Sequence, residues 1–197
     1  MKRLSLYIAL IFATISFATA DENDDLLKTM NPGPKPKYTI EVSQAGKVLG
    51  KIVIETYPGV APKHCRNFDS LVAVKFYDGT KFHRVIPDFM IQGGDPNSKT
   101  PNKSTWGMGD PTQTNVPAEF STLKHLRGIL SAARSNDPNS ATSQFFICHG
   151  NPTFLDGKYT IWGKAISGLD IVDKVATTPK EPGDKPIEDV SMTITKN

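Results

Sequence analysis

The stretch Phe82-His83-Arg84-Val85-Ile86-Pro87-Asp88-Phe89-Met90-Ile91-Gln92-Gly93-Gly94-Asp95 sets one permanent cation among large apolar side chains, with an amide two residues beyond Met90. Arginine carries five donors in a fixed fork and has no accessible deprotonated form. Arg84 is therefore a donor rather than a base, and Gln92 is of a kind that could lock it in place. A wall of this composition can aim donors at a substrate that is itself mostly apolar.

Outward from that stretch, short apolar runs at 82–86, 89–92, 128–132, 144–148, 160–164 and 190–195 are punctuated by Gly, Pro, Asn and Asp. These are what a closed antiparallel barrel needs. Residues 38–42 and 50–55 alternate apolar and polar around Ala45-Gly46-Lys47 and read as a hairpin. Pro62 suits a first helical turn, and Cys65, Phe68, Leu71 and Val72 follow as one apolar face. Leu169, Val172 and Val175 give a second short helix. Residues 96–117 lack periodicity and read as a long surface loop.

With 197 residues, 38% hydrophobic and 22% charged, the chain fits one globular domain with short extensions. Lys2 and Arg3, the apolar residues 4–17 and Ala18-Thr19-Ala20 have the order of a signal peptide spanning 1–20. A membrane anchor needs about 20 apolar residues, and an acidic run follows here instead, so stable membrane insertion is not expected. Residues 21–37 are acidic and then Pro-rich, which suits a mobile tether that need not pack, before a domain spanning 38–197. Removing the leader takes two basic residues and no acidic one, leaving a net charge of +1. Long-range attraction to nucleic acid is therefore not expected. Cys65 and Cys148 sit in apolar-patterned segments and read as two buried small side chains, although an oxidising compartment would permit a bridge. Grouping His64-Cys65 with Cys148-His149 as a metal site fails on spacing, because the usual intervening residues are missing.

Three ordered blocks carry a resemblance. The first is the opening stretch. The second runs from Gly128-Ile129-Leu130-Ser131-Ala132-Ala133-Arg134 to Ser140-Ala141-Thr142-Ser143-Gln144-Phe145-Phe146-Ile147-Cys148, and the third is Phe154-Leu155-Asp156-Gly157-Lys158-Tyr159-Thr160-Ile161-Trp162-Gly163-Lys164. Together they resemble the cyclophilins, the cyclosporin-binding peptidyl-prolyl cis/trans isomerases. The resemblance implies a mainly β fold, a closed eight-stranded antiparallel barrel capped by two helices, acting without cofactor or metal on proline-containing polypeptides. It further implies Arg84 and Gln92 as the catalytic pair, with Arg84 donating to the prolyl nitrogen. Phe89, Met90, Phe146 and Leu155 would form the proline pocket, and Ala133 and Arg134 a strand whose backbone pairs with the peptide, which leaves the Arg134 side chain free to vary. His83 at its motif position implies barrel packing.

The resemblance also assigns Phe154 and Tyr159 to the substrate site, and these two positions depart from the best-known pattern. Phe154 stands where many eukaryotic members carry Trp, and Tyr159 where they carry His, changes that bacterial members often share. Phe154 has no indole donor, which predicts weak cyclosporin binding with isomerisation intact. Outside the family context Phe89, Phe145, Phe146 and Leu155 read as core, His64 and His125 as surface or packing residues, and Arg84 as a solvated charge. Ser131 or Ser143 with Asp156 does not make a hydrolase, because no nucleophile elbow exists. The reading is a monomeric isomerase, periplasmic or secreted, or lumenal in a eukaryotic secretory pathway. A proline-peptide-binding module or holdase chaperone is the alternative; such a binder has no need of Arg84 with Gln92.

Overall fold

The computed structural model describes residues 20–197, and the signal-peptide reading of 1–20 lies outside them but for Ala20. Strands β1 (Lys37–Gln44) and β2 (Lys47–Thr56) form the expected hairpin, its turn made by Ala45 and Gly46, both at positive φ. Strands β3 (Arg84–Ile86), β4 (Met90–Gly93), β5 (Ile129–Ala132), β6 (Phe145–Cys148), β7 (Ile161–Ser167) and β10 (Val190–Lys196) complete an eight-stranded antiparallel sheet. Its order is β10-β1-β2-β7-β5-β6-β4-β3. The two outer strands do not pair with each other. The expected closure is therefore incomplete, and the residues just before β3 bridge the gap: Phe82 and Gly79 donate to the carbonyls of Val190 and Met192, and Met192 donates to Thr80. A minor hairpin of β8 (Lys180–Glu181) and β9 (Lys185–Pro186) was not foreseen. The stretch 96–117 does run outside the sheet, but it is not featureless, since Pro96–Lys99 and Lys103–Thr105 are 3-10 turns and Trp106 is buried.

Register explains why the central strands are apolar at most positions. Val85, Ile91, Ile147 and Leu130 are successive cross-strand partners, and all four belong to the main core inside the barrel. The next row, one residue along, points to the opposite face because strand side chains alternate. That outer face carries a second apolar cluster containing Met90, Phe146, Cys148, Ile129, Ile161 and Leu155. Strands buried on both sides read as continuous apolar runs. Helix α2 (Pro62–Ala73) buries Cys65, Phe68 and Val72, and α3 (Leu169–Ala176) buries Ile171, Val172 and Val175. Phe68 packs its ring against Tyr38, Tyr77 and Trp162, with centroids 4.8–5.2 Å apart. Cys65 and Cys148 are both free and buried, and burial pushes the Cys65 thiol up to about 12.

The tether reading of 21–37 is overturned. A third helix, α1 (Ala20–Met30), precedes the barrel, and Leu27 is buried in the outer cluster. Asn23 and Asn31 are also buried and bonded to the domain. Few apolar residues suffice here, because the outer face of the barrel is itself apolar and supplies the other half of the contact. Burial of one leucine contributes about 2 kcal/mol, enough to hold a short helix already favoured by acidic residues early and Lys28 in its last turn. The end of α1 abuts Gly59, where any Cβ would collide with the Met30 carbonyl.

Candidate active site

The outer row of the sheet builds the site. Arg84 on β3 stands opposite Gln92 on β4, Gln92 opposite Phe146 on β6, and Phe146 opposite Ser131 on β5. Directly opposed residues share a face, so a cation, an amide and an aromatic ring come to lie side by side. Two residues along the same face, Met90 adds a buried thioether. Loops deliver the rest: Phe89 from the β3–β4 turn, where Asp88 adopts positive φ, and Leu155 from the 3-10 turn Thr153–Leu155.

Together Arg84, Phe89, Met90, Gln92, Ala133, Arg134, Phe146, Leu155 and Tyr159 line one cavity of about 110 Å³. Nine of the ten residues assigned from sequence thus converge. The tenth, Phe154, does not line it. Its side chain is 64% exposed, and its ring lies 5.6 Å from that of Phe89, at the rim. A second cavity of about 300 Å³ adjoins the first across Gln92, Ala133 and Arg134, and is walled by Gly107, Met108 and Gly109 of the 96–117 segment.

The polar groups are arranged differently from expectation in two places. Gln92 does not lock Arg84; its amide donates to Gln144 Oε1 at 3.0 Å, and Gln144 in turn donates to the Gly107 carbonyl. The Gln92 NH2 end cannot serve Arg84, itself a donor only, and it finds its acceptor in the Gln144 oxygen instead. The Arg84 guanidinium lies 5.9 Å from the Phe89 ring centre, and among the described residues it has no carboxylate partner. The Arg134 side chain is not free either. Its guanidinium stacks 4.2 Å from the Tyr159 ring centre and donates to the Lys158 carbonyl at 2.8 Å.

Two groups were missed from sequence. Gln144 was visible only as part of a strand, and its contact with Gln92 spans 52 residues of chain. His125, read as a surface or packing residue, is fully buried with both ring nitrogens bonded, to Asp156 and to Ser131. Burial lowers its pKa against the opposing pull of Asp156. His83 packs beneath the 96–117 segment, and burial pushes its pKa down to about 4.

Known proteins agree with this geometry. A sequence profile of the cyclophilin type peptidyl-prolyl cis-trans isomerase/CLD family matches residues 38–197. The chain belongs to this family. It is 44% identical over 145 residues to peptidyl-prolyl cis-trans isomerase ppi1 of Schizosaccharomyces pombe, covering 73% of this chain and 90% of that relative. A peptidyl-prolyl cis-trans isomerase of Acinetobacter baylyi is 44% identical over 136 residues, covering 66% of this chain and 69% of the relative. The crystal structure of a Cryptosporidium parvum cyclophilin type isomerase superposes with a TM-score of 0.73 at 31% identity, covering 83% of this chain and 98% of that one. The same parasite protein has been solved in the presence of the dipeptide Ala-Pro, at a TM-score of 0.71. The chain is thus a cyclophilin-type isomerase acting on proline-containing peptides.

Proposed function

We propose that Arg84 carries the rate acceleration by donating to the prolyl nitrogen as the X–Pro amide twists. The rotation barrier of about 18–20 kcal/mol comes from delocalisation of the nitrogen lone pair into the carbonyl. No bond breaks. A turnover on the order of a thousand per second corresponds to roughly 13 kcal/mol, so the protein supplies about 5–7 kcal/mol. One charge-assisted hydrogen bond contributes roughly 1.5–3 kcal/mol. Preferential binding of the twisted amide, whose nitrogen has become basic, supplies the remainder without a nucleophile. The apolar wall of Phe89, Met90, Phe146 and Leu155 suits a pyrrolidine ring, which offers no donor, and Met90 adapts to both isomers. Gln92, its donor end held by Gln144, keeps its carbonyl end for the peptide or for Arg84.

The observation that carries this reading is a guanidinium, without a carboxylate partner among the described residues, that lines the same cavity as Phe89, Met90, Phe146 and Leu155. A holdase needs the cavity but not the cation. Exchange spectroscopy on a short X–Pro peptide separates them: cis and trans resonances are expected to exchange faster at catalytic amounts of the chain, whereas capture without exchange supports the binding module.

The isomerase is further proposed to act outside the cytoplasm, in a periplasm or as a secreted monomer, or in a eukaryotic secretory lumen. Residues 1–20 support this through their basic, apolar and small-residue order. Among the described residues no helix is long and apolar enough to cross a membrane. Intact mass of the exported product is expected to begin at Asp21; an uncleaved chain would overturn the localisation and leave the isomerase reading standing. Weak cyclosporin binding is proposed on the exposed Phe154, which offers no donor.

A further inference from the structure

The row of partners that forms the cavity wall runs on from Phe146 to Ser131, and beside Ser131 lies a buried polar group for which isomerisation has no evident use. His125 Nδ1 is 3.0 Å from Asp156 Oδ1, which also accepts from the His125 backbone N–H at 2.7 Å. Nε2 is 3.1 Å from Ser131 Oγ. The ring stacks on Phe146, with centroids 6.1 Å apart and planes at 19°, and Phe146 meets Tyr159 edge-on at 6.0 Å. Carboxylate, imidazole and hydroxyl follow one another as in a hydrolytic triad. Ser131 is nevertheless fully buried and gives its proton to the Thr160 carbonyl at 2.8 Å, so it cannot serve as a nucleophile.

The other side of this group is held by α1. Asn23, buried at 4% exposure, donates to the Lys124 carbonyl at 2.9 Å and accepts from the Lys124 N–H at 2.8 Å. Lys124 immediately precedes His125. Further along the helix, Leu27 is buried in the cluster that contains Leu123, Leu126 and Phe146, and Asn31 accepts from the Gly59 N–H at 2.6 Å. The segment carrying His125 is therefore pinned through its backbone from one side and through its imidazole from the other. A ring held at Nδ1 by the Asp156 carboxylate, with Nε2 against Ser131 Oγ, cannot turn without losing the bond to Asp156, so the face it presents to Phe146 is fixed.

We propose that His125 is a positioning residue for the proline pocket, a strut that is clamped by Asp156 and Ser131 on one side and by Asn23 of α1 on the other, and that sets the Phe146 ring. This deepens the isomerase reading and rests on Phe146 forming the pocket wall.

The test compares the unmodified chain with His125→Phe, His125→Asn and Asn23→Ala. Catalytic efficiency comes from exchange spectroscopy, corrected for folded fraction by denaturant titration, and the ring resonances of Phe146 and Tyr159 are followed by NMR. His125→Phe keeps the ring and loses both bonds; it is expected to lower kcat/KM at least about fivefold per folded molecule and to shift or broaden both ring signals. His125→Asn places an amide where Nδ1 stood, within reach of Asp156, and is expected to recover much of that loss. Asn23→Ala leaves His125 itself intact, so it serves should His125→Phe fail to fold. It is expected to move the same Phe146 signals and cost about twofold to threefold. Unaltered efficiency and ring signals in folded variants, against an active unmodified chain, would overturn the strut alone. Losses that track only the unfolded fraction would overturn it equally. An inactive unmodified chain would overturn the isomerase reading and the strut with it.

Discussion

Arg84 owes its availability to what surrounds it. Its cross-strand partner gives its donor to Gln144 and the Phe89 ring lies beside it, and among the described residues no carboxylate pairs with the guanidinium. Arg84→Ala is expected to leave the fold intact, since the residue is only partly buried, and to lower kcat/KM at least about tenfold, equivalent to ~1.4 kcal/mol of transition-state stabilisation. Exchange spectroscopy reads this directly; a folded variant of undiminished efficiency would remove Arg84 from the mechanism. Phe154 makes a separate case at the rim. Phe154→Trp adds a donor and a larger stacking surface beside Phe89, and is expected to strengthen cyclosporin inhibition. Titrating the inhibitor against both forms checks it, and tight inhibition of the unmodified chain would show that the indole is dispensable here.

Among the elements, α1 is held by a few specific contacts. It rests on Leu27, on two buried asparagines and on the Lys164–Asp24 ion pair at 2.7 Å, an exposed contact of little energetic weight. Leu27→Ala is therefore expected to undock the helix without unfolding the barrel. Hydrogen exchange should show the α1 amides losing protection while those of β1, β2 and β10 keep theirs. Uniform loss of protection throughout the chain would mean that α1 and the barrel unfold as one unit. The sequence left this element illegible because it places only Leu26, Leu27 and Met30 among many charges. The central strands were legible for the opposite reason: being buried on both faces, they announce themselves as apolar runs whatever their partners.

For the molecule as a whole, acid stability depends on histidines that folding keeps neutral. His83 is 3% exposed, neither ring nitrogen has a hydrogen-bond partner among the described residues, and burial holds its pKa at about 4, against an ordinary value of 6.5. The unfolded chain takes up this proton first as pH falls. The stabilisation is complete above about 6.5, declines as pH falls toward 4 and is lost below it, a difference of about 3 kcal/mol at most. His64 works in the same direction, its pKa lowered by burial. Urea titrations between pH 7 and pH 4 should therefore show falling stability in the unmodified chain and a shallower fall in His83→Gln. Parallel curves would place the acid sensitivity elsewhere. Asp69 adds a contribution at lower pH: its bond from Lys196 holds its carboxyl below the ordinary range, so its stabilisation persists until the pH drops through that lowered value.

The apolar patterning of the sequence by itself determined the barrel, and of the ten site residues that the family resemblance implied, the fold brings nine around one cavity. Period-two and continuous apolar runs encode which faces are buried, and Arg84, Gln92, Phe146 and Leu155 stand in motifs whose spacing follows from strand register. Only the tertiary structure decided which polar groups meet. The Gln92–Gln144 bond spans 52 residues, His125 and Asp156 are 31 apart, and Asn23 reaches across 101 to Lys124. A hydrogen bond needs two groups within about 3 Å in the right orientation, and nothing local in the chain records that meeting. Apolar burial is a property each residue carries alone; a hydrogen-bonded pair comes into being only when folding has brought both ends to the same place.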